Sequence, residues 1–261
     1  MGLGSFKKWL PAKRKRKEET AMKLIAHRGA CLEKQEDTLA ALELGAEYGA
    51  FAVECDPRYT ADNVAVIFHD GDLARLADDP RKVSDLTLEE MRAVLAKSGK
   101  TVTTLEELLT GYHGKSAVLF DLPHNALDEN LYAMLAAAPF HAIAGVHAVA
   151  EAEMARGFFA KEDILAFMPK PDLAADFAAA GAGNIRLWEN WLPEHPISEV
   201  RKCIPSDREI WIMSNDKTVH HPLFCMNGSA ESLKKLRDMG AEGVLLNDIA
   251  MAMELRRNGE I

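Results

Sequence analysis

The sequence predicts a single α/β domain whose parallel sheet closes into an eight-stranded barrel, and three observations carry this. The chain has 261 residues, 48% of them hydrophobic, which suffices for one large core and is a normal length for an α/β barrel. From Met22 onward, short apolar runs of strand type alternate with Ala-, Leu- and Glu-rich stretches of helical period, the pattern of parallel strands joined by helical crossovers. No internal repeat or interior low-complexity linker divides the chain, so residues 23–261 read as one domain behind a tail, residues 1–22.

The strand candidates are residues 23–26, 51–54, 64–68, 117–120, 142–146, 164–167, 185–188, 209–213 and 243–246. Helical period is clearest over residues 37–48, 86–96 and 229–239. Thr87 with Glu90, and Thr104 with Glu107, have the spacing of capping boxes, in which a hydroxyl and a carboxylate satisfy the free N–H groups of a helix start. Nine strand candidates exceed a barrel of eight. The stretch between Glu54 and Val64 is also too short for a crossover helix. The sequence therefore predicts a distortion near the second and third strands: an irregular excursion with one run left out of the barrel, or a deformed barrel wall.

Charge narrows the function classes. The chain carries 31 basic and 40 acidic residues, a net charge of −9, which argues against a nucleic-acid-binding body. The tail is the exception. It holds seven Lys and Arg against two Glu, a net +5 that leaves −14 for the rest. With Phe6, Trp9 and Leu10 beside the basic run, it is suited to weak contact with an anionic membrane surface, or else is a solvated, disordered leader. It has no apolar segment of the secretory kind, and no run in the chain is long enough to span a bilayer. Cys31, Cys55, Cys203 and Cys225 form no CxxC pair and read as free thiols in a reducing compartment. Together these point to the cytoplasm.

The chemistry lies at the ends of the first strand candidates. His27-Arg28-Gly29 follows the first, Glu54-Cys55-Asp56 ends the second, His69-Asp70 follows the third, and Asp121 ends the fourth. Each residue alone has an ordinary structural explanation; their joint placement at one barrel mouth, where the active sites of such barrels lie, does not. Glu54 and Asp56, two apart on a strand, leave the same face, and their like charges call for a cation between them. An all-oxygen ligand set selects Mg²⁺ or Ca²⁺ over zinc. Imidazoles at His27 and His69 suit general acid–base chemistry at phosphorus, and Arg28 can clamp phosphate oxygens in bidentate fashion.

These residues resemble the glycerophosphodiester phosphodiesterase family over most of residues 23–250. The resemblance rests on Ala26-His27-Arg28-Gly29-Ala30, Glu36-Asp37-Thr38 for a usual Glu-Asn-Thr, Glu54-Cys55-Asp56, and His69-Asp70 with Leu73 and Arg75. Further matches are Thr104 to Leu109 and the closing strand from Gly240 to Asp248. It implies a TIM barrel. It further implies metal-assisted hydrolysis of a small-molecule phosphodiester to glycerol 3-phosphate and an alcohol, an activity of lipid and glycerol metabolism. His27 and His69 would be general base and acid, Arg28 and Glu36 would sit on the substrate phosphate, and Glu54, Asp56 and Asp121 would hold one divalent cation. The chain departs from the pattern at the fourth strand, where a usual Glu-x-Lys reads Asp121-Leu122-Pro123 and loses a cation. His124 and Arg186 are the candidate replacements. Other departures are Asp37 for Asn, Gly145-Val146-His147, Met213-Ser214-Asn215 and an insertion at residues 217–228. Trp188, Trp191 and Trp211 are candidates for a pocket wall or for the core. The alternatives are phospholipase D-like action on a lysolipid or sphingolipid head group, which an Asp at position 121 fits, and a barrel that binds a phosphorylated ligand without turnover.

Overall fold

The computed structural model describes residues 21–123, 127–214 and 229–261. Eight parallel strands close a barrel: β1 (Lys23–Ala26), β2 (Ala52–Cys55), β3 (Ala117–Asp121), β4 (Ala142–Val146), β5 (Ile164–Ala166), β6 (Asn184–Trp188), β7 (Glu209–Met213) and β8 (Gly243–Leu246). Each strand pairs with the next in sequence. β8 returns to β1 with Leu246 opposite Ala26, which closes the ring and leaves no sheet edge. Eight of the nine strand candidates are these strands.

The ninth, near residues 64–68, is the excursion. Residues Ala65–Ile67 pair antiparallel with Pro57–Tyr59 on one side and Thr103–Thr104 on the other, outside the barrel. The distortion is thus an insertion between β2 and β3, and the barrel wall passes it undisturbed, since β2 pairs directly with β3 from Ala52–Ala117 to Cys55–Phe120. The insertion has a core of its own, with Val66, Phe68, Leu73, Leu86, Met91 and Leu95 buried together. Burying each such side chain contributes about 1.5–3 kcal/mol, so the insertion is a rigid block rather than a loose loop. Both capping boxes form: Thr87 with Glu90 at the start of the helix Leu88–Lys97, and Thr104 with Glu107 at the start of Leu105–Gly111.

Alternation along the strands sorts the side chains into two cores. Val53, Cys55, Val118, Phe120, Ile185 and Leu187 face outward against the helices. Ile25, Ala52, Ala117, Leu119, Ile143, Leu165, Phe167, Trp211 and Leu245 fill the barrel interior. Trp211 belongs to this interior and not to a pocket wall. It is fully buried, meets Phe51 edge-on at 6.0 Å between ring centres, and donates from Nε1 to Glu209 at 2.8 Å. Lys23 holds the same Glu209 carboxylate at 2.7 Å and lies over both rings, which plugs the end of the barrel where the strands begin. Among the described residues no helix is long and apolar enough to cross a membrane. The basic leader, His124, Asn215, Cys225 and the segment 217–228 lie outside the described residues, whereas Met22 at the domain's edge is buried in the outer core.

The turn after β1 tests how tightly the mouth is built. Gly29 has φ +74°, and a Cβ placed there would sit 2.5 Å from the carbonyl carbon of Ala41. Gly29→Ala should therefore cost about 1–3 kcal/mol through forced αL strain and this backbone collision. Urea denaturation will show it as a lowered midpoint with an unchanged slope.

Candidate active site

Counting by twos from the inward-facing apolar residues identifies what reaches the mouth. From Ile25 the next inward position is His27; from Ala52 come Glu54 and Asp56; from Leu119, Asp121; from Ile143, by way of Gly145, His147; from Leu165, Phe167; from Trp211, Met213. On β6 the outward Ile185 and Leu187 leave Arg186 and Trp188 inward. His27, Arg28, His69, Asp121, His147 and Arg186, together with Phe167, Trp188 and Met213, line one cavity of about 270 Å³. A larger groove of about 860 Å³ runs past Leu88, Leu105 and Met134. It holds none of the three histidines of the mouth and none of the three carboxylates, so the chemistry is concentrated at the barrel mouth.

The carboxylates converge as the sequence predicts. Ligand oxygens of Glu54, Asp56 and Asp121 lie within 4.8 Å of one another. Glu54 and Asp56 are buried, at 1% and 6% exposure. Burial, then Asp56 and Asp121, push the Glu54 carboxyl well above the usual range. Burial, then Asp121, push Asp56 up to about 6 against the pull of His69, Arg28 and Arg58. The Asp56 Oδ2 atom is buried with no hydrogen-bond donor. Three hard oxygen donors, two of them desolvated and mutually repelling, with an unused oxygen among them, fit one divalent cation of the Mg²⁺ or Ca²⁺ type. Asp37 is not on the cavity. It lies buried beneath the loop, accepts from the Asp56 backbone N–H at 3.3 Å, and burial followed by Asp56 raises its pKa.

Arg28 sits in αL conformation at φ +55°. This aims its backbone N–H at Glu54 Oε2, 2.8 Å away. Its side chain donates to Glu36 Oε1 at 3.1 Å and lies 3.8 Å from Asp56 Oδ2. Although burial works against the charge, Asp56, Glu36 and Glu54 raise its pKa. Glu36 therefore touches Arg28 and Arg75 and does not line the cavity. Burial would raise its pKa, but Arg75 and Arg28 hold it below the usual range.

The two histidines are oriented differently. His27 follows β1 and donates from Nδ1 to Asn247 Oδ1 at 2.6 Å, with Nε2 3.9 Å from Glu54 Oε2. His69 comes from the insertion rather than from a barrel strand end, which corrects the sequence picture of three successive strands. Its backbone is anchored where the Phe68 N–H donates to the Asp56 carbonyl at 2.7 Å and Arg58 holds the carbonyls of Phe68 and His69. Its ring donates from Nδ1 to Asp70 Oδ1 at 2.7 Å; Arg75 grips Asp70 Oδ2 at 2.7 Å and also Glu36. His69, Asp70, Arg75, Glu36 and Arg28 thus form one continuous chain across the mouth. The Asp70 carboxyl is held well below its usual range by the bond to His69 and then by Arg75.

Two residues, His147 on the cavity and Asn247 behind His27, were not recognised as site residues from the sequence alone. His147 donates from Nε2 to Asp121 Oδ1 at 2.5 Å, and Asn247 orients His27. Both occupy inward positions by the count of two, which is the signal that finds them. Of the two candidate cations for the missing lysine, Arg186 lines the cavity. Trp188 is a cavity wall, and Trp191 packs against the outer core.

Residues 27–157, half of the chain, match the Glycerophosphoryl diester phosphodiesterase family, and the chain belongs to that family. Glycerophosphodiester phosphodiesterase 1 of Bos taurus is 43% identical over 68 residues, 26% of this chain and 20% of the relative. The curated relatives are matched over less than half of their own length. Among solved structures, glycerophosphodiester phosphodiesterase of Thermotoga maritima superposes with a TM-score of 0.69 at 19% identity, covering 90% of this chain and 99% of that one. A phosphodiesterase of Oleispira antarctica in complex with the product sn-glycerol-3-phosphate superposes with a TM-score of 0.65 at 16% identity, covering 92% and 97%. At these identities the likeness is one of fold.

The carboxylate cluster makes stability depend on pH and on cations in a definite direction. Carboxyls whose pKa is raised by folding bind protons more tightly in the folded state. Their contribution is complete below about pH 4 and is lost as pH rises through about 6 and beyond. Chelator-treated protein should therefore lose melting temperature over that window, and Mg²⁺ or Ca²⁺ should restore it at neutral pH, by about 2.7 kcal/mol at a hundredfold excess over Kd. Glu54→Gln should flatten the pH dependence and weaken the cation response. Unchanged cation affinity in that variant, measured by calorimetry, would place the metal elsewhere.

Proposed function

We propose that the chain hydrolyses a glycerophosphodiester, or a related small phosphodiester, to glycerol 3-phosphate and an alcohol. The observation that carries this reading is the meeting of two separately oriented imidazoles with a three-carboxylate cluster around one small cavity. Family membership and the product named for the Oleispira antarctica protein support it.

Glu54, Asp56 and Asp121 would hold a divalent cation, which when bound polarises a phosphoryl or attacking oxygen and offsets developing negative charge. The histidines divide the proton transfers. With Nδ1 donating to the neutral Asn247 amide, the His27 ring presents a lone pair at Nε2 on the Glu54 side. His27 takes the proton of the attacking hydroxyl, that of water or of the substrate's own glycerol; in the second case the alcohol leaves from a cyclic phosphate, and a water then opens the ring to glycerol 3-phosphate with the two histidines in reversed roles. His69 has a carboxylate behind its Nδ1, which fixes the ring and stabilises the imidazolium, as a buried carboxylate does for a catalytic histidine. His69 delivers a proton from Nε2 to the leaving alcohol as the phosphorus–oxygen bond breaks. Arg28 supplies a cation beside the phosphate, positioned by Glu36. The rigid insertion sets the distance between acid and base.

His27→Ala and His69→Ala should each lose about 10²–10⁴-fold in rate at unchanged melting temperature. The pH–rate profile should be bell-shaped, with apparent values that belong to the pair. The test is a coupled assay for glycerol 3-phosphate over a panel of diesters, with and without EDTA. A His69→Ala protein of normal stability and normal rate would end the assignment, and a rate indifferent to EDTA would remove the metal from it.

A further inference from the structure

Arg186 is out of place by every packing rule of the barrel. Deeper in the barrel the inward positions are apolar, Leu119, Ile143 and Leu245 among them, yet Arg186 stands inward at 4% exposure. Among the described residues its Nε and Nη1 atoms are buried with no hydrogen-bond acceptor, and it forms no ion pair. Asp121 acts on it only at longer range. Burial lowers its pKa to about 10, so the group stays cationic at neutral pH. Aromatic rings enclose it instead. Its guanidinium carbon lies 4.4 Å from the centre of Trp188, 5.1 Å from Phe167 and 5.7 Å from Trp191. Ring faces stabilise the faces of a guanidinium, but they accept nothing from its N–H edge. A buried donor without an acceptor, on a buried charge with no counter-charge in contact, is unfavourable.

The cavity supplies the reason. Arg186 lines it together with His27, His69 and Asp121. The other arginine on the cavity, Arg28, already has its charge matched by Glu36, Asp56 and Glu54. Arg28 Nε is likewise buried without a hydrogen-bond partner, but Arg186 is the cavity arginine that has no carboxylate within ion-pair distance among the described residues, and a ligand anion would supply that charge. A planar fork held between aromatic faces matches two oxygens of one tetrahedral anion.

We propose that Arg186 is the anion anchor of the site, binding two non-bridging oxygens of the substrate's phosphate group, and of the phosphate on the product, from the β6 wall. This rests on the phosphodiesterase reading and deepens it. Arg186 holds phosphorus between the two histidines, and the rings around it fix the direction of the fork.

The test uses the full chain with magnesium present and inorganic phosphate as the probe, titrated by calorimetry. Arg186→Met should weaken phosphate binding tenfold or more. It should also raise the melting temperature of the phosphate-free protein, because it removes an unpaired buried charge; a merely structural arginine would give the opposite shift. Arg186→Lys keeps a charge but loses the fork and the stacking, and should bind phosphate more weakly than wild type and more tightly than Arg186→Met. A wild-type protein that does not bind phosphate, or an Arg186→Met protein that binds it as wild type does, overturns the proposal. If Arg186→Met does not fold, Arg186→Lys decides: unchanged phosphate affinity overturns the anchor, and a fall supports it. Kinetics separate this proposal from the one beneath it. Phosphate binding that depends on Arg186, with no diester hydrolysed, leaves the anchor standing and removes the hydrolytic reading. Hydrolysis with KM unchanged in Arg186→Met does the reverse.

Discussion

Glu54, Asp56 and Asp121 bring carboxylate oxygens within 4.8 Å of one another at one end of a closed barrel, with Asp37 buried beside them. Charge of one sign, taken out of water and crowded together, must be offset by cations or by protons. Much of the mouth follows from that demand. The backbone of Arg28 accepts an αL conformation and aims its N–H at Glu54. Its guanidinium is drawn between Glu36 and Asp56. The carboxyl pKa values rise, and a place is left that a hard divalent cation fits. The cluster is destabilising by itself; what it provides is affinity for something that arrives positively charged.

The insertion between β2 and β3 answers a second demand, the rigid delivery of a second imidazole, His69, to the mouth from outside the barrel. A barrel strand can present only its own inward positions. Residues 57–104 form a block with its own apolar core and its own capped helix. It is fastened back to the barrel where Phe68 donates to the Asp56 carbonyl and where Arg58 holds the backbone before His69. His69 is fixed further through Asp70, Arg75 and Glu36 to Arg28. Through this chain the position of the His69 ring is tied to Arg28, which contacts Glu54 and Asp56.

The two arginines on the cavity divide its electrostatics. Arg28 is held by carboxylates on the β1–β2 side, and Arg186 is held by rings on the β6 side. The first stabilises the anionic cluster; the second faces a cavity and carries donors without acceptors.

The amino-acid sequence by itself determined the barrel, because eight apolar runs of strand length separated by helical stretches admit few other closures, and both capping boxes are local pairs three residues apart. It determined the carboxylate cluster as well, since Glu54, Asp56 and Asp121 follow from a period of two on strands whose ends share one mouth. Tertiary structure alone decided the rest. That residues 64–68 leave the barrel depends on pairing with Thr103–Thr104, some forty positions away in the chain, which no local pattern encodes. Trp188 and Trp211 are the same residue type at strand positions, yet one walls the cavity and the other plugs the far end, because their heights along the barrel axis differ. His147 reaches Asp121 from a neighbouring strand, and Asn247 reaches His27 across the closing seam. These partners are joined by ring closure, and the distance that matters is measured around the barrel rather than along the chain.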